Sequence, residues 1–492
     1  MTEKVSVLHI SDLHRSKGAE ITNAALLASL VKDNDKYTVH EKPQIKSPDI
    51  IIVSGDVIRG SVKQDGSEVE VQGQYDEAVE FLNQLTAQFL NGDKKRIIII
   101  PGNHDVDWKF SKESMIKIES DKIFDALGKV KNQILKDAIN QKSKVRWNWR
   151  DLSFYEISDY EKYNKRLEAF SNFYTTFYEG TRQFSLNPTE QYNIFDLPNF
   201  NLTIVAFSSC YNNDHLRLVG DINPACIGNA SLKLREYSKK GRLIFATWHH
   251  NTKGLPYDSN YMDNTKLKNF IDSGISVGFH GHQHKTELIH AYNDVLEQKK
   301  IIVFSAGTLC GGAEELPVGN NRQYNLIEID WNKPDDEFIN VQLHTREKSD
   351  SSSFENPIWK QGRIDSVLVS NYTVKIEKPR QPDSRAALIE VENFFKRGDF
   401  PKGKQLLLAL DGNDDFVRKY LADLIIATED FKLALQVFSE PRNDEELITV
   451  LNASIQLKNQ FKMKELLTVA KEFGSTNTII KEFTYKIVAL LK

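Results

Sequence analysis

Five short segments carry the residue types that can do metal-assisted chemistry. They are "SDLH" with Asp12 and His14, "SGD" with Asp56, and "PGNHD" with Asn103, His104 and Asp105. "WHHN" follows with His249 and His250, and "FHGHQH" with His280, His282 and His284. Seven of the 12 histidines of the chain fall in these segments. One Asp-x-His or Gly-Asp alone is ordinarily a turn; five such segments in one chain call for a common cause. Aspartate and asparagine oxygens with imidazole nitrogens form a mixed donor set suited to Mn, Fe or Zn. A carboxylate shared by two cations holds them about 3.5–4 Å apart, where they clamp a phosphoryl group and lower the pKa of a shared water. That chemistry is in-line phosphoester hydrolysis. It needs no thiolate, and Cys210, Cys226 and Cys310 lie outside the five segments.

Each segment follows a short apolar run of the kind that forms a buried strand. The runs are "VSVLHIS" from Val5, "DIIIVSGD" from Asp49, "RIIIIPGNHD" from Arg96, "RLIFATWHH" from Arg242 and "ISVGFHGHQH" from Ile275. Two more, "LTIVAFSS" from Leu202 and "KIIVFSAGT" from Lys300, carry no such motif. Amphipathic stretches such as Gln74 to Leu90 lie between runs. Strand and helix in alternation predict an α/β domain, and open α/β sheets place their sites at the carboxyl ends of strands.

Two segments interrupt this rhythm. Residues 108–195 read as a helical, aromatic insertion, and residues 325–376 as a β-rich extension. Residues 1–376 thus form the first domain, 377–384 a linker, and 385–492 an α-helical repeat domain. In the last, "GDFPKGKQLLLA", "EDFKLALQVFSE" and "NQFKMKELLTVA" align on Phe400, Phe431 and Phe461. Phe394, Ile425 and Ile455 stand six residues before, and Leu406, Val437 and Leu467 six after. Stacked helical hairpins bury such a pattern; an irregular helical bundle is the alternative. The repeat resembles the tetratricopeptide type in its period and in the small residues Gly403 and Ala434. Lys464 in the third copy departs from it, as does the missing Trp and Pro signature. Such an array suggests a protein partner or self-association.

Composition bounds the partners. Of 492 residues 40% are hydrophobic and 27% charged, with a net charge of -4, ordinary for a globular protein. That balance argues no nucleic-acid or membrane partner for the chain as a whole. No apolar run approaches about 18 residues, no leader is evident, and three scattered cysteines suit a reducing compartment. A cytoplasmic protein is expected. The insertion is a local exception: Lys129, Lys131, Lys136, Lys142, Lys144, Arg146 and Arg150 stand against Asp137 alone, with Trp147 and Trp149 at the basic end. Such residues suit nucleic-acid phosphates and stacked bases. The bland alternative is a solvated basic helix with the tryptophans in the insertion's own core.

As an ordered set, the five segments resemble the calcineurin-like metallophosphoesterase family over residues 12–284. The resemblance implies two mixed β-sheets packed as a sandwich flanked by helices, with a dimetal site in the connecting loops. It assigns Asp12, His14 and His284 to one divalent metal, Asn103, His249 and His282 to the other, and Asp56 to both. Mn is favoured over Fe or Zn. It makes His104 the catalytic residue contacting the phosphate and a metal-bridging hydroxide the nucleophile. The "GHQH" ending resembles members that cleave phosphodiesters, including nucleases. A phosphomonoesterase or protein phosphatase recruited by the helical repeats is the alternative, and a non-catalytic scaffold the third. Many relatives carry an Asp three residues after the bridging Asp to orient the histidine; here Arg59 stands there. His104 then leans on Asp105, another carboxylate or backbone, and Arg59 and Arg15 become candidate phosphate contacts. His250 and His280 are expected behind the ligands, His9 as structural, and His215 in a loop near the site.

Overall fold

The computed structural model describes residues 4–61, 69–140, 143–254, 260–292, 300–331, 337–364, 369–379, 384–408, 410, 412 and 414–491. All seven apolar runs are strands. β-Branched stretches such as Ile50–Val53 and Ile97–Ile99 are buried throughout, which suits strands covered on both faces.

A seven-stranded mixed sheet has Lys4–Ile10, Ile50–Val53 and Ile97–Ile99 side by side and parallel. Their carboxyl ends share one edge, which brings the "SDLH", "SGD" and "PGNHD" loops together. Gln323–Asp330 pairs antiparallel with Lys4–Ile10, and Phe338–Lys348, Trp359–Gln361 and Asn371–Glu377 extend the same sheet. A six-stranded mixed sheet sets Leu202–Phe207, Leu243–Thr247, Val277–His280 and Lys300–Ser305 parallel. Its "WHHN" and "GHQH" loops likewise leave from one edge.

The two sheets share one core. Val7, Ile51 and Ile98 of the first sheet join Ile204, Phe245, Phe279 and Phe304 of the second in one apolar cluster. The alternate residues Val205, Ile244 and Val303 face the other way, onto the helices Pro224–Lys239 and Thr265–Asp272. This alternation is the strand period of two, and it makes the expected layers of sheet on sheet with helix outside.

The insertion departs from the expectation. Beside helices such as Asn132–Ile139 and Glu168–Phe177 it holds a three-stranded antiparallel sheet, Met115–Lys117, Val145–Asn148 and Ser153–Ile157. These strands have three to five residues, too few for a periodic signal, and charged residues stand in them. Two members of the basic run are paired, while Lys129, Lys131, Lys136 and Arg150 are exposed. Arg146 is buried in an ion pair with Asp214 at 2.7 Å, and Lys144 pairs with Glu156 at 2.6 Å. Lys142 lies outside the described residues.

Contacts divide the chain into two compact units. One comprises Met1–Ser238 and Arg242–Pro379, the other Lys239–Gly241 and Arg380–Lys492. Half of the expected linker 377–384, residues 380–383, lies outside the described residues. In the second unit the helices Ser384–Lys396, Phe400–Leu407, Asp415–Thr428, Phe431–Val437, Asp444–Gln456, Gln460–Phe473 and Thr478–Leu490 surround their own apolar core. Each aligned Phe is the first or second residue of a helix, and the polar residue just before that helix caps it. Asp399, Asp430 and Asn459 accept from the backbone N–H of Lys402, Leu433 and Lys462. Asp430 also meets Lys404 Nζ at 2.6 Å, tying two helix pairs together. Asp430→Ala should therefore cost about 1–2 kcal/mol, the sum of a cap and a surface ion pair. Denaturant unfolding of the full chain should show the loss as an earlier first transition.

Candidate metal centre

The five loops converge. Asp12, His14 and His284 place one ligand atom each within 4.8 Å of one another, as do Asp56, His249 and His282. A third such group, His14, Asp56 and His104, lies between them. Asn103 joins the second group: its Oδ1 stands 3.0 Å from His249 Nε2 and 2.9 Å from His282 Nδ1.

Backbone conformation marks the same residues. Asp12, His14, Asp56, His282 and His284 have φ between 45° and 74°. They are five of the eleven non-glycine residues with positive φ among the described residues. The left-handed region costs L-residues about 1–2 kcal/mol each, and such strain concentrates at functional sites. Sharp turns at strand ends aim successive side chains at one point. The motif glycines let the loops interlock: a Cβ on Gly102 would run into the Asp56 carboxylate, and one on Gly281 into Ser11 and Asp12.

Main-chain carbonyls set the imidazoles. His249 Nδ1 donates to Ser54 O at 2.8 Å, His284 Nδ1 to Glu315 O at 2.7 Å, and His104 Nδ1 to Arg59 O at 2.7 Å. Each ring thus presents Nε2, the arrangement by which second partners orient metal-ligating histidines. His249 Nε2 faces Asp56 Oδ2 at 3.1 Å as well as Asn103, and His284 Nε2 faces Asp12 Oδ1 at 3.1 Å. Lone pairs converge there, and a proton or a metal cation must satisfy them. His14 Nε2 and His282 Nε2 are buried with no hydrogen-bond partner. Orphaned nitrogens beside buried carboxylates fit a pair of divalent cations.

The electrostatics agree. Burial pulls the His249 imidazole down, but the Asp56 carboxylate outweighs it and holds the group up at about 9. Burial opposes His284 in the same way, and Asp12 holds it at about 9. Burial and the neighbouring His249 take His282 down to about 3. Asp12 lies well below the usual carboxylate range: burial opposes ionisation, but His284 and its other histidine neighbours prevail. At pH 7 the metal-free protein therefore holds protons where cations belong. Metal loading should release about two protons per protein, and apparent metal affinity should rise with pH until about 9, where His249 and His284 lose theirs unaided. Titration calorimetry in buffers of different ionisation enthalpy reads this number, and zero release would contradict the assignment.

The remaining candidates sort themselves. His104 sits at the mouth, its side chain 39% exposed, with Nε2 3.9 Å from Asp56 Oδ2 and its ring 4.6 Å from that of His14. Its support is backbone, not Asp105. Asp105 Oδ2 accepts from Gly102 N and Val57 N, and Oδ1 from Tyr75 Oη, so it clamps two loops together. Burial and then the Asp56 charge raise Asp105 to about 7. His250 packs 4.8 Å from the His282 ring and spends its nitrogens on Ser209 and Asn213. His280 is buried over Trp248, and His9 bonds Ser54 within the core.

Arg59 borders a recess of about 80 Å³ beside His104, Asn103 and Trp108, with Nη2 4.0 Å from Glu315 Oε1. Arg15 is a correction. It is fully buried, donates to Ile21 O at 3.0 Å and stands over Phe81, so it is no phosphate contact. His14, with φ of 45°, turns the chain so that the next side chain enters the core. Glu315 and Ser209 are contributors the motifs did not reveal: one supplies a carbonyl, the other a hydroxyl behind His249 and His250.

A family model described as calcineurin-like phosphoesterase matches residues 5–286. No curated protein gives a significant match. Among solved structures the chain is similar to that of PhoD, at 11% identity and a TM-score of 0.39, over 70% of this chain and 66% of that one, just under two thirds. It is similar to a dimetal phosphatase from Danio rerio, at 8% identity and a TM-score of 0.35, over 68% and 95% of the two chains. It is also similar to GAP50 of Plasmodium, the anchor in the inner membrane complex, at 10% identity and a TM-score of 0.34, over 77% and 90%.

Proposed function

The chain belongs to the calcineurin-like phosphoesterase family, and on that premise we propose a metal-dependent phosphodiesterase that accepts nucleotide or nucleic-acid esters. The observation that carries it is the convergence of two Asp/His groups from the loops of both sheets, with His104 exposed beside them. In this reading Asp12, His14 and His284 hold one divalent cation, Asn103, His249 and His282 the second, and Asp56 serves both. The mixed oxygen-and-imidazole set suits Mn, Fe or Zn, and we favour Mn. Bound there, the cations supply Lewis-acid polarisation of the phosphoryl group and activation of water.

The chain's own groups do the rest. Asp56 Oδ1 accepts the backbone N–H of His104 at 2.8 Å, so carboxylate and imidazole are held as one unit. Nδ1–H is committed to Arg59 O, so Nε2 is the atom that can take up a proton and, in the imidazolium form, hand it to the leaving oxygen. Arg59 is the one full cation among the described lining residues of the recess, and it already faces Glu315. Arg59→Ala should raise KM for substrate about tenfold and leave the pH profile unchanged, because the carbonyl that sets His104 survives. Steady-state kinetics across pH check both parts.

No helix among the described residues is long and apolar enough to cross a membrane. The buried, unpaired Cys210, Cys226 and Cys310 support a reducing, cytoplasmic setting. The helix pairs beyond residue 384 support a tetratricopeptide-like docking or self-association role. The deciding assay compares bis-p-nitrophenyl phosphate with p-nitrophenyl phosphate after loading with Mn, Fe or Zn, beside labelled DNA and RNA. Diester preference is expected. Cleavage of the monoester alone would point to the phosphatase alternative, and cleavage of neither with any metal to the scaffold.

A further inference from the structure

A second, larger hollow lies away from the ligand groups. It measures about 800 Å³, within the range of about 300–1,000 Å³ typical of small-molecule sites. The insertion lines it with Leu135, Ile139, Trp147 and Trp149, and the segment Cys210–Asp221 adds Leu216 and Leu218. Ile139 is 82% exposed and Trp149 80%, and the Trp147 indole N–H has no hydrogen-bond partner. Surface apolar groups gathered around a concavity are uncommon in a folded chain without a ligand to cover them.

Most of the described lining is apolar, and its charged side chains are each held by hydrogen bonds. Arg146 of the lining is neutralised by Asp214 at 2.7 Å, both buried. His215 shares a hydrogen bond of 2.8 Å with Ser111, and burial keeps it neutral at pH 7 by lowering it to about 4. Arg217 donates to the carbonyls of Ala138 and Val145. Ten of the fourteen described lining residues are apolar. Such a lining suits an apolar organic group.

The same segment also walls the metal centre. Asn213 Nδ2 stands 3.3 Å from His250 Nε2, and Gly220 packs so closely on the His250 ring that a Cβ there would overlap it. Val219, which lines the hollow, is one residue, about 3.8 Å of chain, from Gly220. On the other side Ser111 belongs to the helix Trp108–Glu113, whose first residue lines the recess at His104. The hollow and the recess are thus built on shared loops.

Resting on the phosphodiesterase reading, we propose that this hollow seats an uncharged apolar group, aryl or alkyl, of the ester whose phosphate the metal centre hydrolyses. The test uses p-nitrophenyl phosphodiesters that share one leaving group and carry methyl, octyl or naphthyl as the other ester. In the Mn-loaded full chain, kcat/KM should rise about tenfold or more from methyl to the larger groups. Ile139→Asp and Trp149→Ala should remove that gain and leave the methyl ester unchanged. Preference for naphthyl over octyl identifies an aryl group, and the reverse an alkyl group. The uncharged fluorophore N-phenyl-1-naphthylamine reads the hollow without catalysis: it should bind the parent, and at least tenfold more weakly each variant. Fluorophore binding with no turnover of any ester would overturn the hydrolase reading and leave the apolar site standing. Absence of fluorophore binding, binding untouched by both substitutions, or variants that slow all esters alike would overturn the apolar site itself.

Discussion

Asp56→Asn should abolish phosphoester hydrolysis and strip the protein of metal while leaving it folded. Asp56 is the carboxylate common to two of the three converging groups. Its Oδ2 stands 3.1 Å from His249 Nε2, and its Oδ1 accepts the backbone N–H of His104. The amide keeps the shape and loses the charge. Breaking a buried charge pair costs about 3–5 kcal/mol, which at about 1.4 kcal/mol per decade is roughly 10²–10⁴ in metal affinity. His249, held at about 9 against its burial by the Asp56 charge, should fall and become neutral at pH 7. Metal analysis, hydrolysis rate and circular dichroism together check the expectation. A variant with full metal content and full activity would remove Asp56 from the centre.

The second large effect belongs to His104. His104→Ala should lower kcat by about 10²–10⁴, the usual contribution of a positioned acid or base, with metal content unchanged. The geometry makes this a sharp test, because His104 also belongs to the group His14, Asp56 and His104. Its partial exposure and the 3.9 Å separation of Nε2 from Asp56 separate it from the buried imidazoles. Loss of a metal ion in His104→Ala would instead make it a ligand. The deficit should shrink for esters with good leaving groups, since these need no proton.

The strands and the site loops were legible because their signals are local. "IIIV" and "RLIFAT" are apolar runs bounded by polar turns, and parallel strands buried on both faces need such runs. Donor residues at five strand ends could be collected before any topology was known. What stayed hidden depends on direction in space. Arg15 follows a ligand by one residue, yet the turn at His14 sends it inward. Arg146 counted as a surface cation until Asp214, 68 residues on, took it into the core. The short sheet of the insertion rests on three to five residues per strand, where charged and aromatic side chains obscure any period. Glu315 contributes to the centre through its carbonyl, and a carbonyl leaves no mark on the sequence.

The carbonyls that aim His249, His284 and His104 have a consequence for how such a site drifts. A side chain in the orienting role must be kept or replaced in kind, but every residue brings a carbonyl. Position 59 can change identity without turning His104, provided the loop holds its path, whereas Ser54 and Glu315 also use their side chains, on His9 and on Gly312 N. Arg59 is thus the free case: its carbonyl aims His104, and its side chain takes no part in that aim.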